Sequence, residues 1–222
     1  MRILLVRHGQ SQANVNKRIL LERPDHDIGL SDLGHEQAKK VARWLHNKLL
    51  GAQHSVRLWN SPYFRARQTA GYIGAEIEGM PLGGWEVTIR EEIAFAEQQF
   101  GLFDGVPDDE LKQKFPLEYG HYKKCEDFEG KFWARMPLGE SRFDVAIRVK
   151  NTFGTLVRDA DRHNIQTHII VCHGVTARAF VMQWCHLTPE WFEKQANLPN
   201  CGVWELGERG INNGLVYDPA WR

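Results

Sequence analysis

Residues 3–6, Ile3-Leu4-Leu5-Val6, form an unbroken apolar run that stops at Arg7-His8-Gly9-Gln10-Ser11. A short apolar run without alternation reads as a strand buried on both faces, the kind found in parallel sheets covered by helices. Such a strand delivers Arg7 and His8 to the rim of the sheet. Gly9 then lets the backbone turn and a ligand come close. In open α/β sheets ligands bind outside the carboxyl ends of the strands. His8 is therefore a candidate nucleophile and Arg7 a candidate anion clamp; a strand-end histidine in an ordinary loop is the plain alternative.

The pattern recurs. His168-Ile169-Ile170-Val171 is another buried-type strand, and it ends in Cys172-His173-Gly174. A strand over 54–59, with Val56-Arg57-Leu58-Trp59 as its core, feeds Asn60-Ser61-Pro62-Tyr63-Phe64-Arg65. Serine then proline reads as an N-cap followed by the first helical position. Arg65 then falls in or next to the first turn, where free N–H groups and a planar guanidinium suit phosphate oxygens. A helix is expected over 30–50, with Leu33, Ala38, Val41, Ala42, Leu45 and Leu49 as its apolar stripe and Gly51 as its cap. A Ser-x-x-Asp pattern from Ser141 to Asp144 opens another helix, carrying Val145, Val149, Phe153 and Leu156 on one face. Further helices are expected over 175–184 and after Thr188-Pro189. Residues 79–84 are turn-rich, 87–89 form a short strand, and 203–206 and 215–217 read as terminal edge strands around a turn at 208–210. Ser11 to Asn14 start a helix or tight loop, both residues being either anion ligands or simple caps.

Alternating strands and helices predict an α/β fold: three layers, with a mostly parallel sheet and helices on both faces. Residues 106–140 break the rhythm. Tyr119, His121, Tyr122, Phe128, Phe132 and Trp133 alternate there with Lys123, Lys124, Lys131 and Arg135. They read as a helical insertion capping the pocket within a single domain spanning 1–222, or as a surface hairpin whose lysines face water.

The 222 residues carry a formal net charge of zero, so any anion site is local and nucleic acid is not an expected partner. No apolar stretch reaches transmembrane length, so a membrane is not expected either. Four cysteines, Cys125, Cys172, Cys185 and Cys201, show no paired spacing, which favours a reducing, cytoplasmic setting. A Walker-type loop and a His-Glu-x-x-His motif are both lacking.

Phosphoryl transfer needs an in-line nucleophile, cations on the equatorial oxygens and an acid for the leaving oxygen. His8 supplies a partly neutral imidazole that attacks without a metal. Arg7, Arg65 and His173 supply a positive cradle. Glu97, in the loop Ala96-Glu97-Gln98-Gln99-Phe100-Gly101-Leu102-Phe103-Asp104-Gly105, supplies a candidate acid and base.

These residues together resemble the histidine phosphatase superfamily, the phosphoglycerate-mutase-like group. Arg7-His8-Gly9-Gln10-Ser11 with Asn14 resembles its Arg-His-Gly-Glu-Ser/Thr signature. Leu30-Ser31-x-x-Gly34-x-x-Gln37-Ala38 and Ser61-Pro62-x-x-Arg65-Ala66-x-Gln68-Thr69-Ala70 resemble two further blocks, the second being the most specific. Gly139-Glu140-Ser141 and His173-Gly174 match as well. The resemblance implies a transient phosphohistidine on His8. It also implies a phosphate pocket from Arg7, Asn14, Arg65, His173 and Gly174, with no metal and no cofactor. For the acid, Glu97 keeps the family's glycine offset and Glu92 does not. Gln98 and Gln99 stand where cofactor-dependent mutases carry arginine and histidine, so hydrolysis of a small-molecule phosphate ester is expected over phosphate shuttling. A homodimer is left open. Two rivals remain: Cys172-x5-Arg178, which matches the bare cysteine-phosphatase loop, and a non-catalytic phospholigand binder.

Overall fold

The computed structural model describes residues 1–49, 55–78, 88–210 and 212–220. The expected cap at Gly51, the start of the second strand at 54, the turns at 79–84 and the strand start at 87 lie outside the described residues. Strands β1 (Arg2–Arg7), β2 (Ser55–Asn60), β3 (Thr88–Glu91), β4 (Ile165–Cys172), β5 (Val203–Leu206) and β6 (Asn212–Tyr217) form one sheet in the order β3-β2-β4-β1-β5-β6. The first four in that order are mutually parallel. Strand β5 runs antiparallel to β1, and β6 antiparallel to β5. The sequence places both of these last strands at the edge, but β5 lies inside the sheet, with Val203, Trp204 and Leu206 buried, and only β6 is terminal. A four-residue apolar segment looks the same whether one side or both sides are paired.

Strand β1 shows why the sheet holds two layers of helix. Its side chains alternate between faces. Leu4 and Val6 join Leu58, Ile169 and Val171 in one cluster, covered by α2 (Asp32–Leu49) and α3 (Phe64–Glu78) through Ala38, Val41, Leu45 and Ile73. Ile3 and Leu5 join Trp59, Ile170 and Cys172 in the other. That second face is covered by α6 (Arg142–Lys150), α7 (Phe153–His163), α8 (Gly174–Trp184) and α9 (Pro189–Lys194), which contribute Val149, Leu156, Phe180 and Phe192. Residues 3–6 are all fully buried, and each such side chain contributes about 1.5–3 kcal/mol.

Local departures from the sequence reading have local causes. Leu33 is 54 % exposed, because the buried face of α2 runs through Gly34, Ala38, Val41, Ala42, Leu45 and Leu49 and leaves Leu33 one position off it. The helix expected after Ser141 is two helices. The Thr152 hydroxyl turns back onto the Val149 carbonyl at 2.7 Å, and the chain re-starts as α7. The Ser141–Asp144 capping box is present at the start of α6.

Residues 106–140 contain α4 (Leu111–Lys114) and α5 (Pro116–Glu129), and α1 (Gln12–Val15) follows β1. Val106, Leu111, Tyr122 and Ala134 pack with Phe103 into a small cluster of their own, while Phe128 is 91 % exposed.

Candidate active site

Sheet register brings the distant motifs together. Arg7 pairs with Cys172 and Asn60 with Val171, so the next residues, His8, Ser61 and His173, leave the sheet at one level. The rings of His8 and His173 lie 5.0 Å apart, edge to face. Gly9 is needed because α2 crosses directly above: a Cβ there would sit 2.5 Å from the Gly34 carbonyl oxygen. Thr69 Oγ1, on α3, accepts from the Gly9 amide at 3.2 Å, and Gln37 Oε1, on α2, from the Gln10 amide at 2.9 Å. The Gln10 side-chain oxygen itself accepts from the Ser31 hydroxyl at 2.8 Å, a role that an amide fills as well as a carboxylate.

The hydrogen bonds of His8 fix its tautomer. Nδ1 lies 2.6 Å from the Gly9 carbonyl, which only accepts, so Nδ1 carries the proton. Nε2 accepts from Arg65 Nε at 3.3 Å and therefore presents a lone pair. Burial holds the His8 pKa well below the usual imidazole range, with Arg65 and Arg7 adding to the shift. His173 is held low for the same first reason, followed by Arg65 and His8. It is fully buried, with Nε2 2.8 Å from Ser61 Oγ. Ser61 Oγ is shared between this histidine and the Tyr63 amide, from which it accepts at 3.3 Å; α3 begins only at Phe64, and Arg65 is its second residue.

Arg65 carries a partner that the sequence did not suggest. Its two terminal nitrogens meet the carboxylate of Asp25 at 2.8 and 3.0 Å, and Nη1 also meets the Asp25 carbonyl at 2.6 Å. Tyr63 lies edge-on to His173, with ring centroids 4.9 Å apart, and beneath the Arg65 guanidinium at 4.9 Å. Arg7 donates to the Leu198 carbonyl at 2.6 Å. Asn14 uses its side-chain oxygen to accept from the Ser11 amide and from Asn200 Nδ2, and its amino group takes no part in these bonds.

Glu97 sits over the start of α8. Its carboxylate accepts from the Gln98 amide at 3.0 Å, from Thr176 Oγ1 at 3.3 Å and from the Thr176 amide at 3.4 Å. Arg148 fixes the loop that carries it. This arginine ion-pairs with Glu140 at 2.9 Å and donates to the carbonyls of Ala94 at 2.5 Å and Glu97 at 3.1 Å. Glu92 lies elsewhere, its carboxylate accepting from the Ala94 amide at 3.0 Å.

A cavity of about 710 Å³ opens over this floor, lined there by Arg7, His8, Asn14, Arg65 and Glu97. His173 and Gly174 stand behind the wall: a Cβ on Gly174 would lie 2.7 Å from Asn197 Cγ. The cysteine loop is built for something else. Burial pushes the Cys172 thiol up, and Arg178 gives Nη1 to the carbonyls of Phe192 and Gln195 at 3.0 Å each. Asp25, Tyr63, Arg148 and Asn200 were not legible as site residues. Their partners come from other segments, and no spacing rule connects them.

The sequence profile of the histidine phosphatase superfamily (branch 1) matches residues 3–215, and the chain belongs to that superfamily. It is 34 % identical to the phosphoglycerate mutase-like protein AT74 of Arabidopsis thaliana, over 94 % of this chain and 66 % of that protein. It is 26 % identical to the broad-range acid phosphatase DET1 of Saccharomyces cerevisiae, over 99 % and 90 %. Its fold superposes on a mycobacterial glucosyl-3-phosphoglycerate phosphatase with a TM-score of 0.72 at 21 % identity, covering 98 % of each chain. Among the described residues no helix is long and apolar enough to cross a membrane.

Proposed function

We propose that this protein is a metal-independent phosphomonoester hydrolase that works through a phosphohistidine on His8. The observation that carries the reading is the state of that ring: a neutral imidazole with its proton on Nδ1 and the Nε2 lone pair beside Arg65 in an open cavity. Nε2 attacks phosphorus, and the bond to the ester oxygen breaks. Glu97 gives a proton to that oxygen, then takes one from the water that attacks the phosphohistidine and breaks the P–N bond. Arg7 and Arg65 neutralise the equatorial oxygens, the Asn14 amino group donates a hydrogen bond to them, and His173 backs His8. Hydrolysis is favoured over mutase chemistry because both glutamines in the acid loop are engaged internally. Gln98 Nε2 donates to the Glu140 carbonyl at 2.9 Å and Gln99 Nε2 to the Tyr63 hydroxyl at 2.7 Å, so neither of these uncharged side chains offers a second phosphate a cation.

The test is p-nitrophenyl phosphate turnover with and without chelator, together with acid-quench trapping of labelled phosphoprotein. Turnover indifferent to chelator is expected. His8→Ala should lose about 10⁴-fold or more in kcat and all trapped label, and Cys172→Ser should stay near wild type. The reverse pattern, or exchange between 2- and 3-phosphoglycerate faster than phosphate release, would overturn the reading.

A further inference from the structure

The cavity is far larger than a phosphoryl group needs and falls in the range of sites that enclose whole metabolites. Beyond the floor its wall is Phe103, Leu111, Tyr119, Tyr122 and Met136, with Asp104 among them. Four cations also reach it, and three are already held. Lys17 bonds the Val106 carbonyl at 3.0 Å and Asp108 at 3.3 Å. Lys123 pairs with Glu126 and Asp127, and Arg142 with Glu193. Lys131, exposed, has no ion pair among the described residues. Asp104 is the opposite case: half-buried, with no salt bridge among the described residues. Burial, then Asp25, push its carboxyl above the usual range, against the Gly105 amide, Lys17 and Arg65.

We infer that this outer chamber receives the leaving group, and that the leaving group is an uncharged, hydroxyl-bearing ring such as a sugar or a nucleoside, not one carrying a second phosphate or a carboxylate. The inference rests on the phosphomonoesterase reading of the floor. A second anion would approach Asp104, Asp108 and Glu126, and of the four cations only the exposed Lys131 could meet it without breaking an existing pair. A hydroxyl donates to a carboxylate such as Asp104, which no cation neutralises by contact. Tyrosine and phenylalanine faces suit the C–H side of a sugar or the plane of a base.

The experiment compares kcat/KM of the whole protein for glucose 6-phosphate and adenosine 5′-monophosphate with that for 3-phosphoglycerate and fructose 1,6-bisphosphate, using p-nitrophenyl phosphate as the reference. At least one of the first pair should exceed both of the second by about tenfold or more, and which one does so separates sugar from nucleoside. Asp104→Lys should move the ratio toward the anionic pair. Wild-type preference for the anionic pair, or a preference of that kind lost in Lys131→Ala, overturns the inference while p-nitrophenyl phosphate turnover leaves the floor intact. No turnover of p-nitrophenyl phosphate would remove both readings. The wild-type ratio decides the point even where a variant fails to fold.

Discussion

The floor of the site and the segment above it are built in opposite ways. The floor comes from strand ends whose positions the sheet dictates. Its histidines are buried and neutral, and its arginines are tied to carbonyls and one carboxylate. The segment at 106–140 has a small apolar cluster and a surface of charges that pair partly within the segment and partly with neighbouring ones. Rigid placement serves a reaction that needs atoms within tenths of an ångström of their targets. On the reading proposed above, a chamber whose charges are mostly paired would sort what hangs from the phosphate.

The contrast predicts that acid damages the sheet first. His168 Nδ1 accepts from Trp59 Nε1 at 2.9 Å inside the sheet, and burial, the largest cause, pulls its pKa from 6.5 to about 4. The unfolded chain therefore takes up a proton below pH 6.5 that the folded chain refuses until about pH 4. Stability falls across that window, by about 3 kcal/mol for this one group. Denaturant melts at pH 7 and pH 4.5 should show the loss, and His168→Gln, which keeps an acceptor without a titrating ring, should shrink it. An unchanged slope would mean that the sheet is not the acid-sensitive part.

A smaller effect sharpens the role of placement. Glu140→Gln removes the charge that holds Arg148, and with it the Ala94–Glu97 loop, without touching the cavity floor. With Glu97 as the acid, kcat should drop about tenfold while KM changes little; a rise in KM alone would assign Glu140 to binding. The smallest expected effect concerns Asp25, whose carboxylate sits on the Arg65 fork. Asp25→Asn removes a competing negative charge, and the inhibition constant of inorganic phosphate should fall about fivefold. If it rises, Asp25 orients the arginine and does not compete for it.

Much of the floor was legible from sequence because its signals are local. An apolar run ending in Arg7-His8-Gly9, and a second ending in His173, say where two side chains leave a sheet. The start of α3 was misread by two residues, and nothing local shows that Ser61 Oγ is shared with His173, 112 residues away. The segment at 106–140 was legible as an interruption with helical character. Its long-range pairs were not, because no spacing joins Asp108 to Lys17 or Glu110 to Arg18.

The sequence by itself determined the strands, their polarity toward the rim and the residue types available for chemistry, because these follow from periodicity and chain geometry within a few residues. Tertiary structure alone decided that β5 is interior, that Arg65 rests on Asp25, that Arg148 braces the Glu97 loop and that Lys17 and Arg142 are already paired. Each of those is a contact between segments whose separation along the chain carries no information about their separation in space.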